Sequence, residues 1–306
     1  MKFAHRRMTQ RIVNLTRNRT NVQNYLESDG NDMTALSSSK HYLVASDFDQ
    51  TLSFNDSGAV LSELIGASGF EKKVAGLAQS NLVQQGAELA YLIRHDPEFR
   101  GVRREHLIEA GRRVRLRKDI PRLLELLAAG LDGYRFSYFV VSAAPRDVVE
   151  AALDGIVAPD HIIGTELDFD PSSGEVRSIV RVAAGYGKVR VLDELGSQLG
   201  VGIDRTIYVG DGSSDVHVML HVNNGDGFTI AVSENRLLAR IAKRTVVSEN
   251  AFAAALPILE QIAGLRSAEI RSLCESYGLT LDGWERLRAE RVTISSAADN
   301  VRAVLA

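Results

Sequence analysis

The sequence predicts an α/β fold: a mainly parallel sheet between two layers of helices, with a small helical unit inserted early in the chain. Short apolar runs at 43–45, 138–141, 206–209 and 228–232 each stop at turn formers or polar residues, the pattern of strands buried on both faces. Between most of these runs, apolar residues recur at helical spacing. The interval 55–116 carries only the helical period, with no strand pattern, which marks it as an insertion.

Residues 1–38 are polar, rich in Arg, Asn, Thr and Ser, and show no sustained apolar period. A mobile extension is expected there. The first strand, over Leu43 to Ser46, ends abruptly in Asp47-Phe48-Asp49-Gln50-Thr51. The insertion follows, with Leu61, Leu64 and Ile65, then Phe70, Val74 and Leu77, then Leu89, Leu92 and Ile93 on successive helical faces. A helix begins at Ile120-Pro121, with proline in its first turn, and stops at Gly130. The second strand, 138–141, runs into Ser142-Ala143-Ala144, and a helix follows from Pro145 to Leu153.

A short strand at 161–164 leads into 165–170, a turn at 171–174, and 175–180, which together read as a hairpin. The hairpin delivers the chain to Gly185-Tyr186-Gly187-Lys188 and a helix over 189–199. A lysine near a helix start opposes the helix dipole and calls for an explanation. The strand 206–210 ends in Asp211-Gly212-Ser213-Ser214-Asp215, with a helix through Val216, Met219 and Leu220. A strand at 228–232, an edge strand at 245–247, a helix over 251–263 and helical patterns at 270–277 and 284–287 complete the chain. The expected organisation is an extension at 1–38, an α/β core at 39–54 and 117–264, a helical cap at 55–116 and a helical extension at 265–306.

Composition narrows the function classes. In 306 residues the formal net charge is −3, with 45% hydrophobic and 25% charged residues. That balance speaks against a strongly basic nucleic-acid binder. Cys274 is the only cysteine, so neither an internal disulfide nor a cysteine zinc site is expected, and a cytoplasmic setting fits. No apolar run approaches the roughly 18 residues of a membrane span, and the N-terminus lacks the apolar core of a secretory signal. Neither a nucleic-acid nor a membrane partner is expected.

Chemistry is expected at the strand ends, because open α/β sheets collect ligands there. Asp47 and Asp49 alone read two ways: a hard-cation and phosphate site, or an ordinary turn with Asp49 capping a helix. Four strand ends and loops together say more. They carry Asp47 with Asp49, Ser142, Lys188, and Asp211 with Asp215, in that order.

This set resembles the four motifs of the haloacid dehalogenase superfamily: Asp47-Phe48-Asp49-Gln50-Thr51 for DxDxT, Ser142, Lys188, and Gly210-Asp211-Gly212-Ser213-Ser214-Asp215 for GDGxxD. The helical insertion after the first motif and the hairpin before the lysine resemble the phosphoserine-phosphatase-like branch. The resemblance implies a Rossmann-like three-layer α/β/α core and a helical cap. It also implies a Mg2+-dependent phosphatase that hydrolyses a small phosphorylated metabolite through an aspartyl-phosphate.

In that reading Asp47 is the nucleophile and Asp49 the general acid/base, its backbone carbonyl on the metal. Asp47 and Asp211 are carboxylate ligands, and Asp215 is a ligand or an anchor. Thr51, Ser142, Lys188 and the backbone at Ala143 and Gly212 bind the phosphate, and Lys188 neutralises charge shared with Asp47. A carboxylate nucleophile splits one hard phosphoryl transfer into two steps, so the second acid has a job of its own.

Departures qualify the substrate. The branch usually has Ser-Gly-Gly where this chain has Ser142-Ala143-Ala144, and asparagine where it has Ser214. No glutamate occupies the place of the branch's substrate-binding one, and Glu63 is the nearest by default. Phosphoserine itself is therefore not implied. Asp49 argues against carbon–halogen hydrolysis. A phosphotransferase, or a catalytically weak regulatory or binding protein, is the alternative on the same fold. The interval 94–122 holds ten basic residues against five acids, a balance better read as a solvated helix face than as an anion site. His217 and His221 are not assigned to a metal.

Overall fold

The computed structural model describes residues 39–80, 83–233 and 236–281. The expected extension at 1–38 and the helical pattern at 284–287 lie outside the described residues. The elements run β1 (Lys40–Ser46), α1 (Ser57–Ile65), α2 (Phe70–Ser80), α3 (Glu88–His95), α4 (Arg104–Arg113), α5 (Ile120–Ala129), β2 (Tyr134–Pro145), α6 (Arg146–Ala152), β3 (Ile162–Phe169), β4 (Val176–Arg181), α7 (Tyr186–Leu199), β5 (Thr206–Gly210), α8 (Val216–Asn224), β6 (Phe228–Ala231), α9 (Arg236–Ile241), β7 (Arg244–Thr245), α10 (Ala255–Gln261) and α11 (Ser267–Ser276). One compact unit ends at Gly264 and a second begins at Leu265. Within the second, α11 buries Ile270, Leu273 and Cys274.

Among the described residues the sheet has seven strands in the order β4-β3-β2-β1-β5-β6-β7. All neighbours are parallel except β3 with β4. The α/β fold with a mainly parallel sheet is thus the observed one. β1 lies in the middle, paired to β2 and β5, so its carboxyl end falls at the centre of the sheet's upper edge.

Alternation along the strands explains the layers. Leu43, Ala45 and Tyr208 face Val191, Leu192, Val218 and Met219 of α7 and α8. Their neighbours Val44 and Val209 face a small cavity lined also by Leu123 and Leu127 of α5 and Ile258 of α10. No helix among the described residues is long and apolar enough to cross a membrane.

The helices of 55–116 form their own apolar cluster from Leu61, Leu92, Ile93, Phe99, Val102, Leu107 and Ala110, joined by Val148 of α6 and Leu167 of β3. Phe99 and Leu107 are wholly buried, each worth roughly 1.5–3 kcal/mol of burial. Asp56 caps α1 by accepting from Ala59 N at 3.0 Å, and Gly66 ends it in the left-handed region. α4 lies so close to α6 that a Cβ on Gly111 would stand 2.3 Å from Val148 O.

Several boundaries differ from expectation. β2 starts at Tyr134 because the half-buried Tyr134–Ser137 stretch pairs with Lys40–Leu43 of β1. It also continues past Ser142 to Pro145 through a register shift. The strand expected at 161–164 and the first arm of the hairpin are one continuous β3. The edge strand lies at 244–245 rather than 245–247, and the helix expected over 251–263 begins as a 3-10 turn at Ala251–Ala254.

Candidate active site

The turn after β1 is wound around a single carbonyl: the N–H groups of Thr51, Leu52 and Ser53 donate to Phe48 O at 3.2, 2.8 and 3.1 Å. Phe48 is wholly buried and anchors it. Gln50 sits in the left-handed region at φ 54°, a conformation an L-residue holds only with support. That support comes from Ser53 Oγ, which accepts from Gln50 N, and from Arg117, which donates to Gln50 O at 2.8 Å.

The two acids of this turn are held differently. Asp47 is 4% exposed. Its Oδ1 accepts from Phe48 N at 2.7 Å, and its Oδ2 lies 2.9 Å from Lys188 Nζ. Asp49 turns instead toward the insertion, where its carboxylate accepts from Ser57 N and Ser57 Oγ, both at 2.8 Å. Burial, then the neighbouring acids Asp56 and Asp47, push Asp49 well above the usual carboxylate range. A raised carboxyl is suited to deliver a proton near neutral pH.

Lys188, the third residue of α7, is wholly buried. Its ammonium meets Asp215 Oδ1 at 2.6 Å, Asp47 Oδ2 at 2.9 Å and Tyr208 Oη at 3.0 Å. Burial alone would lower its pKa, but Asp215 and Asp47 hold it above the usual lysine range. These partners explain a cation at a helix start.

Asp215 is also wholly buried. Its Oδ1 accepts from Lys188 and from Tyr208 Oη, the latter at 2.6 Å, and its Oδ2 accepts from Asp211 N and Gly212 N at 3.0 and 3.1 Å. Only glycine fits at 210, where a Cβ would stand 2.4 Å from Asp215 Oδ2.

These contacts show what holds two of the expected site groups. The Gly212 N–H, expected on the phosphate, is engaged by Asp215. Asp215, expected as a ligand or an anchor, accepts two hydrogen bonds at each oxygen, which makes it an anchor of the loop and of Lys188. Glu63 is exposed, whereas the charge that acts most strongly on Asp49 is Asp56.

One oxygen each from Asp47, Asp211 and Asp215 lie within 4.8 Å of one another. Asp211 is pushed up to about 8 by burial and then by Asp47 and Asp215, and Asp47 to about 7 by burial and Asp215 against the pull of Lys188. Crowded carboxylates beside the Lys188 ammonium form a hard oxygen set whose mutual repulsion a divalent cation such as Mg2+ would relieve. The donor set fits such an ion.

The remaining residues surround this cluster. Thr51 Oγ1 donates to Asp211 Oδ1 at 3.3 Å. Ser142, 1% exposed, accepts from Ala144 N at 3.2 Å and keeps its own proton to donate. Thr165, which sequence reasoning missed, donates to Ala143 O at 2.7 Å and accepts from Ala183 N, so it ties the end of β2 to the loop before Lys188. Tyr208 was missed too. Its only signal was a polar tip within an apolar strand.

The insertion reaches over the site through Gly86, at φ +90°. A Cβ there would stand 2.8 Å from Ser214 Cβ, 3.0 Å from Ala184 Cβ and 3.6 Å from Ala143 Cβ. The Gln84 side-chain amide donates to Ala184 O, and Gly86 N donates to Glu88 at 2.8 Å. The small residues Ala143 and Ser214 thus seat this loop. Several arginines of 94–122 meet acids, backbone or rings, as in Arg104 with Asp147 at 3.0 Å and over the Phe169 ring, Arg113 with Glu109 at 2.8 Å and Arg117 with Gln50 O.

Residues 44–220 match the family model of haloacid dehalogenase-like hydrolases. No curated protein sequence matches the chain. Among solved structures, a substrate-bound phosphoserine phosphatase superposes with a TM-score of 0.55 at 19% identity, covering 69% of this chain and 95% of that one. A HAD-family hydrolase from Salmonella enterica serovar Typhi gives 0.56 at 15%, covering 68% and 67%. A phosphoserine phosphohydrolase-like protein from Francisella tularensis gives 0.54 at 15%, covering 70% and 98%. These likenesses show a shared fold.

Proposed function

The chain belongs to the haloacid dehalogenase-like hydrolases, and from that premise we propose that it is a Mg2+-dependent phosphatase acting on a phosphate monoester of a small metabolite. The observation that carries the proposal is the division of labour between the two acids of one turn. Asp47 lies with Lys188 at 2.9 Å and beside Asp211, while Asp49 is held apart by Ser57 and kept prone to protonation.

The reaction runs in two halves. A carboxylate oxygen of Asp47 attacks phosphorus as the ester P–O bond breaks, and Asp49 gives its proton to the leaving alkoxide. Asp49 then takes a proton from the water that attacks the same phosphorus. The acyl-phosphate bond breaks, which frees Asp47 and inorganic phosphate. Asp47 and Asp211 would hold the ion, with the backbone carbonyl of Asp49. When bound, it supplies charge neutralisation for the phosphoryl oxygens. Lys188 balances the Asp47 charge, and Ser142 with the backbone at Ala143 hydrogen-bonds the phosphoryl group.

We take 39–54 with 117–264 as the core and 55–116 as the cap whose inner face meets the leaving group, and we place the enzyme in the cytoplasm, a setting that suits a single buried cysteine. The test is a panel of phosphate monoesters assayed with Mg2+ and with EDTA, beside Asp47→Asn. Turnover that depends on the metal and disappears in the variant is expected. Turnover that survives both treatments overturns the mechanism.

A further inference from the structure

The Lys188 ammonium has three protons, and three buried acceptors receive them: Asp215 Oδ1 at 2.6 Å, Asp47 Oδ2 at 2.9 Å and Tyr208 Oη at 3.0 Å. We propose that Tyr208 is a positioning residue for the phosphoryl transfer proposed above, acting by fixing the direction in which Lys188 aims its charge at Asp47. It does not touch the substrate.

The hydrogen-bond directions follow from counting. An ammonium only donates, so Tyr208 Oη accepts from Lys188. The phenolic proton must then go elsewhere, and Asp215 Oδ1 stands 2.6 Å away to take it. Lysine, tyrosine and aspartate thus close a triangle in which every proton has one place. Lys188, Tyr208 and Asp215 are all 0% exposed, so water is not at hand to replace a missing member.

Stiffness makes the tyrosine the reference point. A lysine stem has four rotatable bonds, and two carboxylate contacts leave its ammonium free to swing about the line joining Asp47 and Asp215. A tyrosine ring has two torsions, and this one is wedged in the apolar cluster with Val191, Leu192, Val218 and Met219. β5 places it there by alternation, on the face opposite Val209. The third contact therefore comes from a rigid group fixed to the central sheet, and it stops the swing.

Tyr208→Phe keeps the ring and its packing and removes one oxygen. With Mg2+ and the monoester panel, including para-nitrophenyl phosphate, kcat is expected to fall about tenfold with KM changed by no more than about twofold, since ground-state binding does not use Tyr208. A second measurement reads Lys188 directly. In protein labelled with 15N-lysine, the ammonium resonance lost in Lys188→Met is expected to exchange its protons slowly in the wild type and at least about tenfold faster in Tyr208→Phe.

An active Tyr208→Phe enzyme with wild-type kcat overturns the role even if it melts earlier. So does a wild-type Lys188 ammonium that exchanges as fast as surface lysines, a result available even if the variant does not fold. A wild-type enzyme inert toward every monoester overturns the phosphatase reading and this role together. An active wild type beside an equally active variant overturns the role alone.

Discussion

The centre of the sheet edge and the loop that covers it are held by opposite kinds of force. Around Lys188, four buried groups are joined by charge-assisted hydrogen bonds of 2.6–3.0 Å. Around Gly86, the insertion touches the core by shape, glycine against Ser214, Ala184 and Ala143, with the Gln84 amide as a polar tie. The first arrangement is costly to disturb, because each lost partner leaves a buried charge alone. The second can separate at small cost, because what it buries is small and uncharged. The proposed reaction, with a fixed nucleophile and a removable cover, would require both.

Four outcomes would break or sharpen this contrast, from the largest effect to the smallest. Lys188→Met leaves Asp47 and Asp215 buried without their cation and is expected to lower unfolding free energy by about 3–5 kcal/mol. Urea titration reads it, and a loss under about 1 kcal/mol would mean that the acids find other partners.

The second concerns pH in the metal-free protein. Asp47 and Asp211 have folded values of about 7 and about 8 against a reference of 3.8. For carboxyls raised in the folded state, the stabilising contribution is full below the reference value and is lost as pH rises through the folded values. Melting temperature in EDTA should therefore drop between pH 4 and pH 8. Mg2+ should flatten that decline, and parallel curves with and without the ion would contradict the assignment of these acids to a cation.

Third, Gly86→Val must take a φ of +90° and push a side chain into Ser214. Roughly tenfold lower kcat/KM is expected, with a stability loss of only about 1 kcal/mol. A comparable loss at Gly76, where an added Cβ meets nothing within 4 Å, would show that the effect is general to the insertion. Last, Asp56→Ala removes the cap of α1 and should cost about 1 kcal/mol, whereas the exposed Glu63→Gln should leave melting and turnover unchanged.

The strands were legible because apolar runs ending in polar turns have few other uses in an α/β chain. The four motifs were legible because carboxylates, serine and lysine at strand ends are chemically unusual in that order. Glu63, named only by default because proximity along the chain was the guide, is exposed on α1, whereas the cap of that helix, Asp56, acts on Asp49. The Gly212 amide donates to Asp215 Oδ2 at 3.1 Å, a partner the sequence could not name because an acceptor has to be located in space.

What the sequence determined by itself is the α/β layering, the insertion after the first strand and the list of reactive groups, since periodicity and residue chemistry are local properties. What only the tertiary structure decided is who partners whom. Lys188 reaches across to Asp47 and Asp215, Tyr208 closes the triangle from β5, and Gly86 finds its seat on Ser214. Those pairings join segments far apart in the chain, and their strength comes from burial, which no single stretch of sequence possesses.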